Sequence, residues 1–248
     1  MADLHPTFQT MVRRLEARAP LGEADREALL SLPHTIRRIG PAGHVVRDGD
    51  SVEQCTLLLS GFAYRYKLTG EGGRQIISFH IPSEFLDLQN SLLRCADHSV
   101  QTLTEAELAV IPAGVLQNLA LTNPAIARAL WIDTLIDSSI FREWVVNVGR
   151  RDSRARIAHL LCEFALRLQS VGIGDGRRYE LPMTQEQLAD AVGLTSVHVN
   201  RVLRQLGEEG LISRDRRTIV LEDWHRLRAA GDFNERYLHD HSGDARIA

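Results

Sequence analysis

The sequence predicts an α+β chain in which an antiparallel β-roll is followed by a long helix and a C-terminal winged helix-turn-helix. Three observations carry that prediction. From His34 to about Pro112, short β-type runs alternate with turn signals at the spacing of a closed antiparallel roll. Residues 116–150 keep an apolar period suited to one long helix. Ala189, Gly193 and Val199 stand at the spacing of two helices that cross at a tight turn.

Composition bounds what such a chain does. With 248 residues, 44% hydrophobic and 25% charged, it can bury a sizeable core and divide into more than one unit. No apolar run approaches the roughly 20 residues of a membrane span, and the start lacks the apolar core of a secretory signal, so a soluble cytoplasmic protein is expected. Cys55, Cys95 and Cys162 form no CxxC pair and are read as isolated thiols of a reducing compartment. Lys and Arg number 29 against 32 Asp and Glu, a net charge of −3, so contact with nucleic acid must come from local clustering.

Residues 1–33 read as a helical segment whose apolar stripe, Leu15, Leu21, Ala24, Leu29 and Leu30, is stopped by Pro33. Residues 34–115 form the expected roll, a sensing domain. Its strands are HTIRRI, HVVRD, CTLLLS, FAYRYKL, QIISFHI, SVQTLT and ELAVIP, separated by turns such as Pro41-Ala42-Gly43, Asp48-Gly49-Asp50 and Gly70-Glu71-Gly72-Gly73.

After the break at Asn123-Pro124, where Pro124 suits a first helical turn, the long helix carries two apolar edges. Leu130, Phe141, Trp144 and Val148 share one stripe, and Trp131, Leu135, Ser138 and Val145 an adjacent one. That is more apolar surface than one roll covers. The helix is therefore expected to pack on its own domain and on a second copy of itself, with Leu130, Leu135, Phe141, Trp144, Val145 and Val148 as dimer residues. A hinge at Gly149-Arg150-Arg151 leads into a domain at 151–225, where Asp152 or Ser153 caps the first helix. A tail, 226–248, holds one more apolar pattern from Leu227 to Tyr237, and His239 and His241 are read as solvated rather than metal-binding.

The segment Leu181–Ile212 carries the chemistry. Thr184 caps a first helix, Gly193 makes the turn, and Thr195 or Ser196 caps a second helix. With Val199, Val202, Leu203 and Leu206 turned inward, Ser196, Val197, Asn200 and Arg201 remain to read base edges in a major groove. Arg201 suits a guanine bidentately, Asn200 a neighbouring base and Val197 a thymine methyl. Thr184, Gln185, His198, Arg204 and the wing arginines Arg214, Arg216 and Arg217 are expected on phosphates.

These residues, together with GHVVRDGD, LLLSGFAYRYK and GRQIISFHIPSEFLDL of the roll and RIAHLL after the hinge, resemble the Crp/Fnr superfamily of bacterial transcription regulators over nearly the whole chain. The resemblance implies a cyclic-nucleotide-binding-like jelly roll. It also implies a homodimer joined by the long helix, a near-palindromic promoter site on double-stranded DNA, and contact with RNA polymerase. Cyclic-AMP-binding members carry a Gly-Glu pair where this chain has Asp87 and Leu88, and an arginine where it has His98, so cyclic AMP bound in the usual way is not expected. No cysteine precedes Cys55, which excludes the iron–sulfur cluster of the oxygen-sensing branch. Family members also often place an acid where Val197 stands, so the operator should differ from the familiar one.

By the same resemblance, an unidentified small-molecule effector would meet Phe85, Asp87, Gln89, Asn90, His98 and Ser99 from the roll, with Trp131, Leu135 and Ser138 from the helix. No cofactor or metal is predicted. Haem-binding relatives keep a gas-sensing alternative open, with His80, His98 or Cys95 as the iron ligand. A metal-dependent roll enzyme is the rival class, but the roll offers no HxH with a companion acid, and there is no GxSxG or GxxxxGK[ST] motif. Catalysis is not expected.

Overall fold

The computed structural model describes residues 5–239, so His241 lies outside the described residues. The expected N-terminal helical segment is two helices, α1 (Thr7–Glu16) and α2 (Glu23–Leu30). Pro20 lies between them, and Gly22, whose amide donates to the Asp25 carboxylate at 2.9 Å, opens the second. Phe8, Met11, Leu15 and Leu29 are fully buried and join one apolar cluster with Cys55, Leu57, Ile111 and Ile126.

Seven strands follow: β1 (Thr35–Ile39), β2 (His44–Val46), β3 (Gln54–Ser60), β4 (Ala63–Leu68), β5 (Arg74–His80), β6 (Ser99–Thr102) and β7 (Ala106–Pro112). They form two antiparallel sheets, ordered β1-β7-β3 and β2-β6-β4-β5. Leu58, Ala63, Leu86, Val100 and Leu108 fill a second apolar cluster. Gly61, with φ +79 and the Glu105 carbonyl 2.2 Å from where a Cβ would stand, makes the β3–β4 turn a glycine-only position.

Helix α3 (Ala113–Thr122) ends at Asn123, and α4 runs unbroken from Pro124 to Arg150. The chain divides into two compact units within α4. The first takes residues up to Lys67 and Ser78–Ser138, and the second takes Leu68–Ile77 and the residues from Ser139 onward.

In the second unit, Asp152 accepts from the Ala155 amide and caps α5 (Ser153–Ser170). Then come β8 (Arg178–Glu180), α6 (Gln185–Val192), α7 (Ser196–Glu208), β9 (Ile212–Asp215), β10 (Thr218–Leu221), α8 (Trp224–Ala230) and a 3-10 turn, Glu235–Leu238. Strand β8 has no apolar alternation to announce it. It exists because Tyr179 pairs opposite Ile219 and buries against Phe164. The C-terminal turn is fastened by Glu163, a buried carboxylate on α5 that accepts from Tyr237 Oη at 2.7 Å, Trp144 Nε1 at 3.1 Å and Arg167 at 3.3 Å. Burial raises the Glu163 carboxyl despite those donors. Gly231 lets α8 end against α5, since a Cβ there would stand 2.6 Å from the His159 amide nitrogen. Among the described residues, no helix is long and apolar enough to cross a membrane.

Candidate nucleic-acid interface

Local chemistry fixes the two helices. Thr184 Oγ1 accepts from the Gln187 amide at 3.2 Å while Gln187 Oε1 accepts from the Thr184 amide at 2.8 Å, a reciprocal cap on α6. Gly193 closes α6 in the left-handed region at φ +65 and ψ 44, the turn its lack of a Cβ permits. Thr195 Oγ1 then accepts from the His198 amide and caps α7. Helix α5 holds the pair in place. Arg154 forks onto the Glu209 carboxylate past the end of α7, and Arg156 donates to the Val192 carbonyl at 3.0 Å.

Val199, Val202, Leu203 and Leu206 of α7 are buried, as their spacing predicts. Ser196, Val197, Asn200 and Arg201 are all exposed, and Val197 keeps 79% of its surface, the highest among the large apolar side chains of the described residues.

The residues expected on phosphates separate. Thr184 is exposed but spends its hydroxyl as a cap, and Gln185 is half-buried. Arg204 is exposed and pairs with Glu208 at 3.5 Å. Arg214, Arg216 and Arg217 are exposed at the β9–β10 turn, where Arg216 sits at φ +52 and its carbonyl accepts from Arg214 Nε at 2.9 Å. His198 is half-buried and turned inward along the helix. Its Nε2 lies 3.0 Å from Ser153 Oγ and 2.9 Å from an Arg201 guanidinium nitrogen.

In the roll, Phe85, Asp87, Asn90, His98 and Ser99 are buried and Gln89 half-buried. Asp87 accepts from the Thr56 amide at 2.5 Å and its hydroxyl at 3.0 Å. Burial nevertheless pushes its carboxyl up to about 6. His98 binds Asp97 at 2.6 Å, Gln89 lies 3.4 Å from its other nitrogen, and Ser99 accepts from the Asp48 amide. Asn90 stands apart, because neither polar atom of its buried amide has a partner among the described residues.

An open cleft of about 480 Å³ lies among β1, β2, β3 and β7, with Arg37, Asp50, Glu53, Thr56 and Asp87 on its walls. Asp87 alone of the expected effector residues lines it. On α4, Trp131 and Leu135 are exposed, at 69% and 52%, and Ser138 donates to the Thr134 carbonyl.

What α4 does send toward the roll was not anticipated. Asp137 meets the buried guanidinium of Arg65 at 2.5 Å, and Arg65 also donates to the Leu86 carbonyl at 2.8 Å. Burial works against the Asp137 charge, yet Arg65 and then His80 hold its carboxyl below the usual range. Burial and Arg65 push the His80 imidazole down to about 4, and both its nitrogens are engaged, by Ser78 and Glu84. The available signal was an arginine between the two tyrosines of the strand run FAYRYKL. Among the described residues, no cluster of three His, Cys, Asp or Glu side chains suits a metal.

Of the dimer residues, Leu130 and Trp144 are buried within the protomer, at 7% and 6% exposure. Phe141 and Val148 are half-buried, whereas Leu135 and Val145 are open, at 52% and 68%.

Residues 36–123 match the cyclic nucleotide-binding domain, and residues 155–230 match the Crp-like helix-turn-helix domain. The nitrogen fixation regulation protein FixK of Rhizobium meliloti is 30% identical over 210 residues, covering 82% of this chain and 90% of that one. The chain belongs to the Crp/Fnr family. Within that family it is also 27% identical over 222 residues to the transcriptional activator protein FnrL of Cereibacter sphaeroides, covering 87% of this chain and 89% of that one. The structure of FixK2 from Bradyrhizobium japonicum shares the fold, with a TM-score of 0.74 over 80% of this chain and 98% of that one at 24% identity. The Crp/Fnr chain described here is accordingly a DNA-binding transcription regulator, with the Crp-like order of sheet domain, long helix and helix-turn-helix.

Proposed function

We propose that this regulator acts in the cytoplasm as a homodimer that reads a near-palindromic promoter site, one α7 per half-site, and works with RNA polymerase. The observation that carries the reading is the division of α7. Its apolar row is buried to the last residue, and Ser196, Val197, Asn200 and Arg201 are left outward at the end that enters a groove first. Arg204 and the wing arginines Arg214, Arg216 and Arg217 add positive charge beside it, enough for phosphates despite a net charge of −3.

Dimerisation is assigned to the open edge of α4. Trp131, Leu135, Ser138, Arg142 and Val145 recur at alternating spacings of four and three, the seam of a two-stranded coiled coil. Exposed Trp131, Leu135 and Val145 have no other cover among the described residues. The buried Leu130 and Trp144 serve the protomer instead.

The roll is the region proposed to respond to a signal, with residues 34–115 as the sensing domain and 151–225 as the DNA-binding domain. Phe85, Asp87, Gln89, Asn90, His98 and Ser99 are its candidate contacts. The unpartnered Asn90 amide supports a polar ligand there, since a buried amide without partners is costly.

Sedimentation of the wild type and of Leu135→Glu, each with and without a promoter duplex, tests the reading. A dimer that becomes a folded monomer and loses the duplex is the expected result. A wild type that binds specific DNA as a monomer contradicts it.

A further inference from the structure

The surface of α7 contains one polar contact that neither folds the helix nor is free for DNA. A guanidinium nitrogen of Arg201 lies 2.9 Å from His198 Nε2, one helical turn away on the same face, and the same Nε2 lies 3.0 Å from the hydroxyl of Ser153. Arginine has donors only, so the imidazole must present a bare Nε2 and carry its proton on Nδ1, and the Ser153 hydroxyl shares that acceptor. Ser153 is the first residue of α5, and its hydroxyl is not needed for the cap, which Asp152 supplies.

We infer that His198, seated on Ser153, is a positioning residue that fixes the fork of Arg201 for base reading and does not itself hold a phosphate. The inference rests on the proposed reading of DNA by α7 and deepens it. A long arginine on an exposed helix face loses rotamer freedom when it docks on a base. An acceptor one turn away that already holds one guanidinium nitrogen removes part of that loss and leaves the remaining N–H groups to meet guanine O6 and N7. The neighbouring Val197 has no polar atom with which to orient the arginine. His198 is half-buried and turned to α5, whereas a phosphate ligand would have to turn outward. The first turn of α5 thereby sets the aim of a side chain on α7.

The test uses the full-length protein, a duplex that the wild type enriches from a random library, and a scrambled duplex of the same length. His198→Ala should lower the ratio of specific to scrambled affinity about fivefold per half-site, the net worth of one ordinary hydrogen bond. Scrambled-duplex affinity and salt dependence should stay unchanged. His198→Gln, which returns an acceptor at similar reach, should restore the ratio, and Ser153→Ala should lower it in part. In an Arg201→Ala background, His198→Ala should change nothing further.

Equal weakening on both duplexes, with a shallower salt dependence, would make His198 a phosphate contact and overturn the inference. So would an unchanged ratio, or a loss that persists without Arg201. If Arg201→Ala itself leaves the ratio intact, the reading of α7 fails and the inference falls with it. If Arg201→Ala lowers the ratio and His198→Ala does not, this inference alone fails.

Discussion

Arg65 and Asp137 are separated by 72 residues, yet the buried guanidinium of the first meets the carboxylate of the second at 2.5 Å. Arg65 also holds the carbonyl of Leu86, immediately before Asp87. One cation thus ties strand β4, the Phe85–Asp87 stretch and helix α4 together.

Asp137→Ala withdraws the carboxylate from a buried cation, and breaking a buried pair is costly because the remaining charge stays desolvated. The Asp137 side chain keeps 33% of its surface against 4% for Arg65, which places the expected loss at about 3 kcal/mol, the lower end for such pairs. Urea unfolding should show a lower midpoint at an unchanged slope.

Two buried groups give opposite pH dependences. The Asp87 carboxyl stands at about 6 in the fold against an ordinary 3.8, so the folded state holds its proton more tightly. Its contribution favours folding below about pH 4 and is lost as the pH rises through about 6. His80 stands at about 4 against 6.5, so its contribution is complete above pH 6.5 and is lost as the pH falls through about 4. Asp87→Asn keeps the shape and removes the first effect. The unfolding free energy of the wild type, less that of Asp87→Asn, should fall by roughly 2–3 kcal/mol between pH 4 and pH 7, measured by denaturant titration at each pH.

The fold was legible because its signals are local. Turn residues bracket each of the seven roll strands, Pro124 opens α4, and Thr184, Gly193 and Thr195 write the helix-turn-helix into a dozen positions. The exposed face of α7 follows from the same period. What was not legible depends on partners distant in sequence. Nothing near Arg65 says that Asp137 will meet it, three-residue β8 has no pattern until β10 lies beside it, and the role of His198 depends on Ser153, 45 residues earlier at the start of α5. The two stripes of α4 were visible, but which one faces inward was decided by packing, and it buried Leu130 and Trp144.

Gly193 is the conformational pivot of the motif. Gly193→Ala forces a side chain into the left-handed region at φ +65, at a cost of about 1–2 kcal/mol. Thermal unfolding of the second unit should shift downward, while DNA affinity measured well below the transition should be retained, since no reading residue moves.

Arg201 and Arg216 separate reading from holding. Arg201→Ala should relax selection at one base step per half-site, about 1–3 kcal/mol of discrimination. Arg216→Ala removes one phosphate contact from each protomer, so it should weaken all duplexes about equally and reduce the slope of log affinity against log salt by about 1.8 for the dimer. Binding titrations at several salt concentrations on selected and scrambled duplexes check both.

Selection of bound duplexes from a fully random pool tests the central claim most directly, because it assumes neither operator nor partner. Twin α7 helices on a two-fold dimer predict an enriched inverted repeat whose half-sites lie about one helical turn apart, with a guanine step in each that Arg201→Ala erases. Enrichment of a single unrepeated site, or a repeat whose sequence Arg201→Ala leaves unchanged, would contradict it.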